Sequence, residues 1–152
     1  MQLVLRVDMV VRRRPAVRQV AGTQRSEMRK QYHFRRSGGD TLIWDCDRLV
    51  ALSEGLPRRT VPLNSIRELD EAYWRQEGEA HLTCREPVDH LRLVDEADLT
   101  YPIILSADGR VMDGMHRVVK AALEDRADIE AVQFDEDPEP DHVNIEASDL
   151  PY

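Results

Sequence analysis

The amino-acid sequence predicts an α+β protein of one domain. A chain of 152 residues with 41% hydrophobic and 33% charged residues is long enough to bury a core beneath a polar surface. From Tyr101 to Leu123, two short apolar runs flank Asp108-Gly109, and apolar residues at helical spacing follow. This pattern predicts a strand, a tight turn, a second strand and a helix. The predicted apolar face of this helix consists of Met115, Val118, Val119, Ala122 and Leu123.

The first 27 residues differ from the rest of the chain in charge. Six arginines against two acids give them 6 − 2 = +4, so the remainder carries −8 − 4 = −12. Residues 1–27 are therefore predicted to be a basic, disordered extension outside the core, with a targeting segment or a nucleic-acid arm as the alternatives. The apolar run from Leu3 to Val11 is too short and too charged to span a bilayer, and no membrane partner is expected.

Residues 28–59 are predicted to contain one strand and one helix. Residues 31–36 alternate aromatic and polar side chains, as a strand does, and Ser37-Gly38-Gly39 ends that pattern. Residues 40–53 begin with capping residues and continue with helical spacing, which predicts a helix. The arginines around the aromatic residues of the strand suit single-stranded nucleic acid, and a solvated edge strand is the alternative.

A second helix is predicted between residues 83 and 97. Thr83-x-x-Glu86 has the spacing of a capping box, in which the two side chains bond the first backbone amides. Pro87 has no N–H and is tolerated only in the first helical turn, so the helix begins between Cys84 and Pro87. Apolar residues continue at helical spacing as far as Ala97.

The cysteines and histidines do not predict a metal site. Cys46 and Cys84 lie far apart without Cys-x-x-Cys spacing, which is typical of reduced thiols in a cytoplasmic protein. His81, Cys84 and His90 match no standard zinc spacing. His90 is predicted to be a solvated or core side chain, and Trp74 a core or lid residue.

The turn at Asp113-Gly114 is the candidate functional site. Asp113 is predicted to cap the following helix, and Gly114 allows a ligand to approach the backbone. The free amides of the first helical turn carry partial positive charge, which favours an anion. His116 and Arg117 can project over the same place, because helical side chains lean toward the N-terminus. The alternative is that Asp113 only caps the helix and that Arg117 is solvated.

The motif Gly-x-His-Arg at residues 114–117, after a short strand and before a helix, resembles the signature of the ParB N-terminal domain and sulfiredoxin superfamily. The resemblance extends to the predicted first strand, Thr60–Ile66, to the helix region from His81 to Ala97, and to a closing strand, Ile129–Phe134. It covers residues 60–135. It implies a small mixed sheet with packed helices, in which the glycine-containing turn binds nucleotide phosphates.

The resemblance also implies a set of functional residues. The phosphate- or nucleotide-binding residues would be Asp113, Gly114, Met115, His116 and Arg117. His116 would act as a phosphate contact or as an acid–base group, and Glu68 or Asp70 after the first strand as a general base or as a ligand of Mg²⁺. The implied ligand is a nucleoside triphosphate or diphosphate, with or without Mg²⁺, and the implied protein is a small phosphotransferase or NTP hydrolase. Sulfiredoxin chemistry is not expected, because Met115 occupies the place of that enzyme's cysteine.

Two other functions stay open. A ParB-like nuclease is one, although the net charge of −12 outside the first 27 residues would repel a polyanion. Sequence-specific DNA binding is not expected, because the chain ends before a helix-turn-helix reader would fit. A non-catalytic interaction protein is the other. It would use residues 136–152, an acidic segment without lysine or arginine that is predicted to be a tail or an extended wrap.

Overall fold

Two β-sheets and three α-helices form the part of the chain that the computed structural model describes, residues 30–74 and 83–151. The predicted α+β class is confirmed. The predicted extension 1–27 and His81 lie outside the described residues. The strands are β1 (Tyr32–Ser37), β2 (Asp40–Asp45), β3 (Arg59–Pro62), β4 (Ile103–Leu105), β5 (Val111–Asp113), β6 (Asp128–Gln133) and β7 (His142–Val143). The helices are α1 (Cys46–Ser53), α2 (Glu86–Glu96) and α3 (Met115–Leu123). None of these helices has the length and apolar character needed to cross a membrane.

The first sheet is antiparallel, with the strand order β1-β2-β7. The prediction of one helix over residues 40–53 is wrong in its first half, because residues 40–45 form β2 and only the second half is α1. Gly38 and Gly39 have φ values of 59° and 94°, and two successive positive φ angles suit a two-residue hairpin turn. The resulting hairpin buries Ile43 and Trp44, which offsets the helical spacing of the segment.

The acidic C-terminal segment wraps back onto this sheet. β7 pairs with β2, so the predicted segments 28–59 and 136–152 share one sheet. Asp137 accepts a hydrogen bond from Arg35, and Asp141 Oδ1 lies 3.1 Å from Arg48 Nη1. Arg35 also lies over the Trp44 ring, at 4.9 Å from its centroid. Arg35 is one of the arginines that the sequence predicts for contact with single-stranded nucleic acid. It is already paired with Asp137 and stacked on Trp44.

The second sheet is mixed, with the order β3-β6-β4-β5. β4 and β6 are parallel, and the other neighbours are antiparallel. The predicted succession of strand, turn, strand and helix is confirmed as β4, β5 and α3. The predicted strand over residues 60–66 is shorter than expected. It ends at Pro62, which cannot donate to a neighbouring strand, and 3₁₀ turns follow.

α3 packs its apolar face onto the second sheet. Met115, Val118 and Ala121 are buried, whereas Leu123 is 66% exposed, so its predicted place on the buried face is wrong. Leu123 is the last residue of the helix, where the core no longer covers it. The Met115 side chain belongs to the core, and only its backbone amide remains for the predicted contact with a ligand.

α2 begins at Glu86, within the predicted range, with Pro87 in its first turn. The Thr83 N–H and hydroxyl both donate to Glu86 Oε2, at 2.6 and 2.9 Å, which is half of the predicted capping box. Val94 is the buried residue of α2, and α2 packs against α3. The two helices therefore bring His90 and His116 within reach of each other.

Candidate functional site

Gly114 is the N-cap residue of α3. Asp113, the predicted cap, is instead the last residue of β5, so that prediction is wrong. The φ angle of Gly114 is 102°, which L-residues with a side chain rarely adopt. A Cβ atom here would lie 2.7 Å from Arg117 Nη2 and 2.8 Å from Ile103 Cγ2. Glycine is therefore required both by the backbone angle and by the close approach of two side chains.

Arg117 folds back across Gly114 and is not a solvated side chain. Its Nη2 donates to Asp113 Oδ2 at 2.6 Å and to the Pro102 carbonyl oxygen at 3.3 Å. Its Nε is buried and has no hydrogen-bond partner among residues 30–74 and 83–151. The side chain retains 21% of its surface, so the guanidinium is partly accessible. The ion pair with Asp113 therefore holds the Arg117 guanidinium beside the first turn of α3.

His116 lies in a cluster of three aromatic rings. Its Nε2 is 3.1 Å from His90 Nδ1. The Trp74 indole is nearly parallel to both imidazoles, with centroids 4.2 Å from His90 and 5.1 Å from His116. Burial, followed by the nearby His90, lowers the pKa of His116. The spacing of residues 74, 90 and 116 gave no signal of this cluster, because the packing of α2 on α3 creates it.

Glu68, which the sequence predicts as a general base, lies in the interior and makes structural contacts there. It is 2% exposed. Its Oε1 accepts a hydrogen bond from the Val111 N–H at 3.0 Å and lies 3.0 Å from Arg110 Nε. Arg110 also pairs with Glu71, at 2.6 and 2.9 Å. These contacts connect the 3₁₀ turn after β3 to β5. Asp70 is the exposed acid of the same turn.

Two side chains with nucleophilic atoms, Cys46 and Tyr73, lie near Asp113. Burial, together with the Asp113 carboxylate, raises the pKa of the Cys46 thiol to about 12. The same two causes raise the pKa of the Tyr73 hydroxyl above its ordinary value. A thiolate is the reactive form of cysteine, so Cys46 is unreactive near neutral pH.

The burial of His33 on β1 makes the folding stability depend on pH. Burial, and to a lesser extent Arg35, lowers its pKa from 6.5 to about 4. Between these two values the unfolded chain binds more protons than the folded protein, so stability rises with pH. We expect the free energy of unfolding, measured with urea, to be about 2 kcal/mol lower at pH 5 than at pH 7 from this residue.

The variant His33→Gln should lose that part of the pH dependence. His142→Gln, a substitution on β7 of the same sheet, serves as the control and should keep it. Equal changes between pH 5 and pH 7 in the unmutated protein and in His33→Gln would contradict the assignment.

Comparison with known proteins leaves the site to be interpreted from its own geometry. The chain matches no protein-family model, no curated protein and no solved structure. Fold alone is a weak guide to activity, because one fold hosts many chemistries. The arrangement of Asp113, Gly114, His116 and Arg117 at the start of α3, with His90 and Trp74 beside it, is therefore the basis for a function.

Proposed function

We propose that the protein binds a phosphate ester, with nucleoside di- and triphosphates as the preferred class, at the start of α3. The observation that carries this proposal is the position of Arg117 over Gly114, the N-cap residue. Backbone amides at a helix start carry partial positive charge and suit phosphate oxygens. A guanidinium adds a full charge and charge-assisted hydrogen bonds. The resemblance of residues 114–117 to the ParB and sulfiredoxin signature supports the same class of ligand.

Asp113 determines the charge state around Arg117 before a ligand binds. Its carboxylate accepts from Arg117 Nη2 at 2.6 Å, so the cation is neutralised before a ligand arrives. A phosphate group carries more negative charge than one carboxylate and offers three acceptor oxygens. Binding would therefore exchange an internal ion pair for stronger contacts to the ligand. The pair also keeps Arg117 in place, which lowers the entropic cost of ordering it.

His116 supports an acid–base step at the bound phosphate. Its lowered pKa favours the neutral imidazole near pH 7, which can accept a proton from an attacking hydroxyl or water. Phosphoryl transfer and phosphate-ester hydrolysis both require such a step. Within residues 30–74 and 83–151, no three His, Cys, Asp or Glu side chains converge as metal ligands. The proposed acid–base step uses imidazole chemistry, with or without Mg²⁺ bound through the phosphates of the nucleotide.

The variant Arg117→Ala tests the proposed site. We expect it to weaken nucleotide binding by tenfold or more, because a charge-assisted contact contributes about 1.5–3 kcal/mol. The loss should be larger if the Asp113 carboxylate, left without its partner, repels the phosphate. Isothermal titration with a panel of nucleoside di- and triphosphates measures this change in affinity at a temperature where the variant is folded.

Arg92→Ala is the matched control. Arg92 lies on α2, its side chain is 73% exposed, and its partner is Asp89, one helical turn away. Its removal changes the net charge by the same amount and should leave the affinity unchanged. If the unmutated protein binds a nucleotide and Arg117→Ala binds it equally well, the proposed site is wrong.

A further inference from the structure

His90 and His116 face each other in line. Their nearest nitrogens are 3.1 Å apart and their ring centroids 5.4 Å apart, a difference of 5.4 − 3.1 = 2.3 Å. That difference equals two imidazole ring radii, so both nitrogens lie on the line between the ring centres. The ring planes differ by 25°. This is the geometry of one N–H···N hydrogen bond, in which one ring donates and the other accepts.

Trp74 holds both rings in this arrangement. The indole lies at 17° to the His90 ring and at 20° to the His116 ring, so it covers the same side of the pair. Trp74 itself is 38% exposed, and both histidines are partly buried. The pair therefore forms a flat unit between the indole and the two helices α2 and α3. Rotation of either imidazole would break both the hydrogen bond and the stacking.

We propose that His90 and His116 form a proton relay and that His90 is its second member. The inference rests on the proposed function, since a hydroxyl or water attacking a bound phosphate ester supplies the proton. His116 Nδ1 accepts this proton, and the proton on His116 Nε2 passes to His90 Nδ1. His90 Nε2 then releases its own proton to solvent. Each ring gains one proton and loses one, so the charge of the pair is unchanged at the end.

The charges around the pair favour a relay over storage of an extra proton on His116. His90 faces it from α2, and Arg117 lies next to it on α3. Both disfavour an imidazolium at His116, whereas Asp113 favours one. Burial disfavours the charged form further. A proton taken up at His116 is therefore better passed to His90 than retained. Trp74, the remaining neighbour, carries no charge.

Nitrogen-15 NMR of the histidine side chains in the full chain tests the pair without a nucleotide. We expect each ring to show one fixed tautomer near pH 7, complementary to the other. In His90→Gln the fixed tautomer of His116 should be lost and its pKa should rise. If His116 has the same tautomer and the same pKa in both proteins, the relay is refuted.

Measurements of turnover distinguish a proton relay from a purely structural contact between His90 and His116. With phosphate release as the assay, we expect His90→Ala to lower kcat by about a hundredfold with little change in nucleotide affinity. Imidazole added to the solution should restore part of the rate, because a small base can take the place of a proton carrier. Leu91→Ala, at the neighbouring exposed position of α2, is the control and should keep normal kcat.

These measurements distinguish the two proposals. Absence of nucleotide binding in the unmutated protein would refute the proposed function, while the NMR titration would still decide whether the histidines share a proton. Normal kcat in His90→Ala, or a lost rate that imidazole leaves unchanged, would refute the relay and leave nucleotide binding intact.

Discussion

Gly114→Ala is expected to lower the free energy of unfolding by about 2–5 kcal/mol, as measured by urea denaturation. Part of this loss is backbone strain, because alanine at a φ of 102° costs about 1–3 kcal/mol. The rest is overpacking of the same order, since the new Cβ would lie 2.8 Å from Ile103 and 2.7 Å from Arg117. Displacement of Arg117 should also weaken nucleotide binding in the folded fraction.

Gly109→Ala is the matched control for this substitution. Gly109 also has a positive φ angle, 81°, but its nearest neighbour is Gln133 Nε2 at 4.0 Å. Alanine at residue 109 therefore introduces the backbone strain without the overpacking, and we expect a loss of about 1–2 kcal/mol. Equal losses in the two variants would mean that the close approach of Arg117 to Gly114 contributes nothing to stability.

Glu68→Ala is expected to destabilise the protein by about 3–5 kcal/mol in the same measurement. Glu68 is the buried member of its ion pair with Arg110, and loss of such a buried carboxylate costs an amount in this range. The Val111 N–H would lose its acceptor, and the truncated side chain would leave a cavity. Arg110 would keep Glu71, which reduces the loss toward the lower end of the range.

Glu71→Ala serves as the control because it removes a carboxylate from the same arginine at the surface. The Glu71 side chain is 42% exposed, and a surface ion pair contributes little to stability because solvent screens it. A loss in Glu71→Ala as large as that in Glu68→Ala would contradict the structural role of the buried carboxylate. A folded Glu68→Gln of normal stability that lost turnover would instead restore Glu68 as a general base.

Local patterns in the sequence predicted the elements that local contacts stabilise. The Asp-Gly turn and the helical spacing after it predicted β4, β5 and α3, because those contacts lie within one short segment. β2 was missed for the opposite reason. Residues 40–45 fit helical spacing, and their actual state depends on pairing with β1 and with β7 about 100 residues later. Propensity within the segment could not supply that information.

The same division holds for the candidate site. The sequence by itself determined that a glycine, a histidine and an arginine lie together at the start of α3, because helix geometry fixes neighbours within one turn. Tertiary structure decided that Arg117 also reaches the Pro102 carbonyl oxygen and that His90 meets His116, 26 residues away along the chain. It also decided that Glu68 is buried. Burial and the partner of a charged side chain depend on which distant segments pack around it, and no pattern within one segment encodes that packing.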